Sequence, residues 1–249
     1  MTRRIALAVS WAGLGLLGVP SGAAAVTTIG SNLVVSPTIG LSCTPSSCTV
    51  AQSVLPAASQ APGGVLAPQN GVVVRWRIKT EAVTSAVAIR ITRPGNSDTR
   101  TGAGTGPTEM PPTNATTTYN VRLPIQAGDA LGIDCCFGTA SGPFAANPAA
   151  VTLLWEDPSL QDGAASRMGS EFPLDSELLI NADIEADSDC DGLGDETQDS
   201  QIMACPQATS RATGQRAAAL KKCKKKAKKK HWPKKKLKKC KKKAKKLPN

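Results

Sequence analysis

Between residues 26 and 206 no stretch sustains the 3.6-residue apolar period of an amphipathic helix, whereas several short runs alternate apolar with polar residues. The clearest begins at Gly71. Val72, Val74, Trp76 and Ile78 fall on one face of an extended chain, and Arg75, Arg77 and Lys79 on the other. A second run has Val87, Ile89 and Ile91 inward with Arg90 outward, and stops at Arg93-Pro94-Gly95-Asn96, a turn signature. These two form a candidate hairpin. Further runs span Tyr119 to Ile125, Leu131 to Phe137, Val151 to Trp155 and Leu178 to Ile180, each bounded by Gly, Pro, Asn or Asp. Short strands at this spacing over about 155 residues predict a mainly β body at 26–182, an antiparallel β-sandwich or jelly roll.

Charge is sorted along the chain. Residues 26–206 hold 8 Lys/Arg against 19 Asp/Glu, whereas 207–249 hold 20 Lys/Arg and no acid. An acidic body therefore carries a basic tail. The single histidine, His231, sits in a lysine run, which leaves almost no material for serine-histidine, cysteine-histidine or histidine-zinc chemistry. Hydrolysis by two carboxylates could draw on Glu156 or Asp157 with Asp129 or Asp134, but no spacing rule brings any pair to the required separation. The expectation is a protein that is not an enzyme. Trp76 and Tyr119 fall on apolar strand faces, which favours core packing over ligand stacking. Arg75, Arg77, Lys79 and Arg90 read as a solvated face rather than an anion-binding patch. Asn114-Ala115-Thr116 fits a glycosylation sequon.

Residues 1–25 read as a secretory signal peptide. Arg3 and Arg4 precede an apolar run from Ile5 to Val19, and Ala23-Ala24-Ala25 supplies a small-residue cleavage pattern. That run has about 15 residues where a membrane span needs about 20, and no later segment is apolar for long enough. The mature chain is expected outside the cell, without a transmembrane anchor. There an even set of eight cysteines predicts disulfides before metal ligands. Cys43, Cys48, Cys135 and Cys136 lie in the body, with the adjacent pair 135 and 136 expected to bond to 43 and 48. Cys190 and Cys205 bracket an acidic segment, and Cys223 and Cys240 lie in the tail. A four-cysteine zinc site is the competing reading of the first group.

The acidic segment at 183–206 carries the most specific spacing. Asp187-Ser188-Asp189-Cys190-Asp191-Gly192-Leu193-Gly194-Asp195 places carboxylates at positions 1, 3, 5 and 9, with glycine at position 6 for the sharp turn. Leu193 supplies a backbone carbonyl at position 7. A hard cation that takes 6 to 8 oxygens, Ca2+, fits that donor set. Position 12 is Gln198 rather than a bidentate glutamate, and no amphipathic helix flanks the loop, so this is not an EF-hand. Asp187 to Asp199, followed by Cys205-Pro206, resembles instead the calcium-binding repeats of the thrombospondin type 3 kind. That resemblance covers about one repeat unit. It implies Asp187, Asp189, Asp191 and Asp195 as ligands, with Asp199 a further one, and a unit standing between a β domain and a terminal segment, as in secreted bacterial proteins. Asp183 and Glu185 prolong the acidic alternation upstream.

The tail at 207–249 is duplicated. Leu220 to Lys229 recurs letter for letter as Leu237 to Lys246. Leu, Cys and Ala at steps of three and four fall on one helical face, and Trp232-Pro233 breaks the pattern between the copies. This predicts a helical hairpin clasped by a Cys223–Cys240 disulfide, which would contribute roughly 3 kcal/mol. Lys221, Lys222, Lys224, Lys225 and Lys226 in the first copy, with Lys238, Lys239, Lys241, Lys242 and Lys243 in the second, are the candidate polyanion-binding residues. An anionic envelope polymer or lipid surface is the expected partner, ahead of nucleic acid. The sequence thus reads as a secreted, non-catalytic binding or surface protein. An extracellular hydrolase acting on polysaccharide and a cationic membrane-active effector are the alternatives.

Overall fold

The structure, a computed structural model, describes residues 26–43, 47–81, 85–135, 138–201, 205, 220–225 and 233–244. Twelve strands follow in chain order: β1 (Thr27–Gly30), β2 (Ile39–Cys43), β3 (Cys48–Val54), β4 (Gly71–Lys79), β5 (Val87–Pro94), β6 (Thr99–Glu109), β7 (Thr116–Ile125), β8 (Ala130–Cys135), β9 (Gly138–Glu156), β10 (Arg167–Met168), β11 (Ser170–Leu178) and β12 (Ile180–Glu185). Among the described residues the tail holds an α-helix, α1 (Lys234–Ala244), and residues 220–225 are helical as well. The protein is mainly β and its named strands pair antiparallel, as the period-two runs predict. The expected signal peptide at 1–25 lies outside the described residues.

A four-stranded sheet has the order β1-β12-β4-β7. A larger sheet runs β10-β6-β5-β8-β3-β9-β11, with β2 also on β9. One apolar cluster draws on both: Ile29, Val73, Trp76, Ile78, Leu123, Ile180 and Ile184 from the first, and Val50, Ile89, Ile91, Ile133, Phe144 and Leu154 from the second. Trp76 is buried there, and Tyr119 packs against the cluster with its ring centroid 5.1 Å from that of Trp76. A smaller cluster, Ala51, Leu153, Trp155 and Leu160, covers the other face of the larger sheet.

Three expectations about the strands need correction. The runs at 72–79 and 87–91 are not a hairpin, because β4 belongs to the four-stranded sheet and β5 to the larger one. Alternation identifies a buried face but not the sheet that owns it. The Leu178–Ile180 run is not one strand either: Leu179 separates β11 from β12 where the chain passes between sheets. Finally, Val72 and Val74 are not core partners of Trp76. Asp183 pairs with Arg75 but Ile184 with Val73, so Val74 is an extra residue in β4. This bulge turns Val73 into the core beside Trp76 and Ile78.

The cations read as a solvated face are engaged. Arg75 and Arg77 both hold Asp183, with N···O contacts of 2.8 Å, and Lys79 Nζ donates to the carbonyls of Leu33 and Val34. Arg90 is 4% exposed and pairs with Asp134 and Asp162 across the outer face of the larger sheet. These two carboxylates offset the cost of burying the guanidinium, and the sequence shows neither its burial nor its partners.

Candidate functional site

β12 continues past residue 182 as Ile180-Asn181-Ala182-Asp183-Ile184-Glu185, with the three apolar side chains in the core. Asp183 and Glu185 therefore project from the opposite face of the four-stranded sheet, and both are buried. Asp183 takes Arg75, Arg77 and the Thr28 hydroxyl. Burial alone would raise its pKa, but the hydrogen bonds from Arg77, Thr28 and Arg75 outweigh that and hold it down at about 2. Glu185 accepts from the Glu196 and Thr197 amides at 3.0 and 2.9 Å, and from the Thr197 hydroxyl at 2.8 Å. It thereby seats the acidic segment on the sheet.

That seat is close-fitting. A Cβ added to Gly194 would lie 2.5 Å from Glu185 Oε2 and 2.6 Å from Val74 Cγ1, so only glycine lets the segment lie this near. The bulged Val74, turned away from the core, forms part of the surface beneath it. Gln198 Nε2 donates to the Val121 carbonyl at 2.8 Å. Arg122 on β7 donates from Nε to the Gly192 carbonyl (2.6 Å) and from Nη2 to that of Asp191 (2.7 Å). Cys190 and Cys205 are disulfide-bonded with their Cα atoms 5.1 Å apart, and the Cys205 amide donates to the Ser188 carbonyl. The segment is thus docked along the sheet rather than strung out as a connector.

Asp187, Asp189 and Asp191 lie together, each offering a carboxylate oxygen within 4.8 Å of the others. Backbone donors hold them there. The Asp191 amide donates to Asp187 Oδ1 and Asp189 Oδ1, the Gly192 amide to Asp187 Oδ2, and the Leu193 amide to Asp191 Oδ1. Gly192 has φ +83°, the left-handed turn its place in the motif requires, and Cys190 has φ +62°. Three carboxylates at this separation repel one another unless a cation neutralises them.

The other expected ligands stand apart from this trio. Asp195 accepts the Ser188 amide and hydroxyl, acting as a brace for the loop. Asp199 Oδ1 accepts the Gln201 amide, while its Oδ2 is buried without a hydrogen-bond partner. Leu193 lines an open groove of about 630 Å3 with Thr105, Asn120, Arg122 and Gln198. Sequence reasoning missed the parts that Arg122, Glu185, Gln198 and Val74 play in seating the segment. Of these only Glu185 left a signal, since Ile180, Ala182 and Ile184 extend the strand period to its position.

The lysine tail shows the expected clasp: Cys223 and Cys240 are bonded, with Cα atoms 6.0 Å apart. Leu220 and Leu237 are partly buried, while Lys221, Lys222, Lys224, Lys225, Lys238, Lys239, Lys242 and Lys243 are exposed, and Lys241 is partly so. Lys226 lies outside the described residues. Cys48 and Cys135 face each other in register, and each is in a disulfide. The expected pairing with Cys43 and Cys136 lies outside the described side chains. Among the hydrolytic carboxylates considered, Asp129 and Asp134 are ion-paired to Arg93 and Arg90, and Glu156 and Asp157 are exposed. No helix among the described residues is long and apolar enough to cross a membrane. No family model matches the chain, and searches of curated proteins and of solved structures return no match.

Proposed function

We propose that this is a secreted, non-catalytic binding protein of the cell surface. Its body is a β-sandwich of the jelly-roll kind, its acidic segment binds calcium, and its lysine hairpin attaches it to an anionic envelope polymer or lipid surface. The observation that carries the reading is the trio Asp187, Asp189 and Asp191, gathered within 4.8 Å and set on a loop fixed by Arg122, Glu185 and a disulfide. Hard carboxylate oxygens suit Ca2+, and the partnerless Asp199 Oδ2 shows a second buried oxygen of the same segment with capacity to spare. Bound there, the ion would neutralise the trio and lock the segment to the sheet. The tail supports the second half of the reading: eight lysines are exposed on a hairpin whose fold the Cys223–Cys240 bond secures.

Calorimetric titration of the mature protein with CaCl2 tests the metal half. Binding with a dissociation constant of about 0.1 to 1 mM is expected, and Asp189→Asn and Asp191→Asn should each weaken it at least about tenfold. Heats indistinguishable from buffer at millimolar calcium, or full binding by both variants, would exclude the site.

A further inference from the structure

The two copies of the tail repeat correspond residue for residue, Lys221 to Lys238, Lys222 to Lys239 and Lys225 to Lys242, and each copy carries one apolar stripe. In the structure that stripe is turned inward. Cys223 is 5% exposed and bonded to Cys240, while Leu220, Leu237 and Cys240 are partly buried, which marks the seam between the helical segment 220–225 and α1. A helix that lies in a bilayer interface needs an apolar face free to enter it. Among the described residues the hairpin offers none: apart from Pro233, every exposed position is a lysine, and the turn that carries Trp232 lies outside those residues.

Nor are the lysines gathered on one side. A helix turns about 100° per residue. Measured from the seam at Leu220 and Cys223, Lys225 points away from the partner helix, Lys222 leans to one face of the hairpin, and Lys221 and Lys224 lean to the other. Antiparallel copies of one sequence repeat this arrangement about a twofold axis normal to the hairpin. Lys239 then joins Lys222 on the first face, Lys238 joins Lys221 on the second, and Lys242 stands on the rim opposite Lys225. Ammonium groups therefore occupy both faces and both rims. No arginine occurs between 220 and 249, so there is no guanidinium fork for bidentate recognition or for stacking on bases, and attraction rests on charge density.

Given the anchoring role proposed above, we infer that the partner of the hairpin is a flexible linear polyanion that wraps it and engages lysines of both faces at once, not a lipid bilayer. A planar bilayer meets one face and leaves the ammonium groups of the other in water. A flexible chain neutralises both, and it asks for no apolar face, which is what the closed seam leaves.

Binding of the full mature protein to long-chain inorganic polyphosphate and to vesicles containing anionic lipid tests this, in calcium-free buffer at fixed ionic strength so that the acidic loop takes no part. Polyphosphate is expected to bind at least about tenfold more tightly than vesicles per negative charge. Lys221→Gln with Lys238→Gln thins one face, and Lys222→Gln with Lys239→Gln thins the other. Each pair should weaken polyphosphate binding about tenfold, and the four together by roughly the product. Thiol titration checks that each variant keeps the Cys223–Cys240 bond. Polyphosphate binding unchanged in either pair, or vesicles held as tightly as polyphosphate, overturns the wrapping partner while the anchoring role stands. Binding to neither probe overturns both.

Discussion

Asp183 shows how a letter that looks like surface becomes structure. In the sequence it is one more acid in an acidic run; in the fold it is 2% exposed and shared between two guanidinium groups. Its carboxyl is held at about 2, below the ordinary 3.8. Because the folded value is depressed, the stabilisation is complete above about pH 4 and is lost as pH falls through 2; at neutral pH it amounts to on the order of 2 kcal/mol. Urea unfolding from pH 7 to pH 2 should show this acid limb. Asp183→Asn is expected to cost about 1 to 3 kcal/mol at pH 7, since it leaves two partly exposed guanidinium groups, Arg75 and Arg77, with a neutral partner, and to flatten the limb. Equal pH slopes for the two proteins would contradict the assignment. Arg90 makes the same point, since nothing in its neighbours distinguishes a buried arginine from a solvated one. By contrast Trp76, Ile78, Ile89 and Ile91 were legible as core, because their alternation has one physical cause, a half-buried strand.

Among elements, the strands were legible as runs but their assignment to sheets was not. β4 and β5 each show period two, and that period carries no information about which sheet receives them. In Val72-Val73-Val74 three identical side chains also erase the phase, so the bulge that selects Val73 for the core left no mark. The glycine turn of the acidic loop was legible, since Gly192 takes a positive φ. The docking of that loop was not, because it depends on Arg122 and Glu185, remote from one another in sequence. Two substitutions address it. Glu185→Ala would leave two amides and a hydroxyl without their acceptor, at about 1 to 3 kcal/mol per unsatisfied group. Gly194→Val would push a side chain into Glu185 and Val74. Both are expected to speed amide exchange at Glu196 and Thr197 by more than about tenfold, with strand amides unchanged, and to weaken calcium binding. Slow exchange in both variants would show that the loop holds itself without the sheet.

At the scale of the whole molecule, a body of net −11 ends in a segment of net +20. The exposed lysines of the hairpin should make retention on vesicles containing anionic lipid fall steeply with salt, since exposed charges farther apart than about 10 Å are screened at 0.1 M. Replacing Lys238, Lys239, Lys242 and Lys243 with glutamine is expected to remove up to about 4 kcal/mol of surface attraction. Retention indifferent to both salt and substitution, measured by co-sedimentation, would remove the tail from the binding function. If the hairpin is held by a surface while the body is tugged, the Cys190–Cys205 bond acts as a mechanical shunt. Tension entering at residue 205 passes directly to residue 190 and bypasses the docked stretch 191–201. The load then arrives between Asp189 and Asp191, a few residues from an interior strand, so a pull on the anchor is felt first where the carboxylates gather.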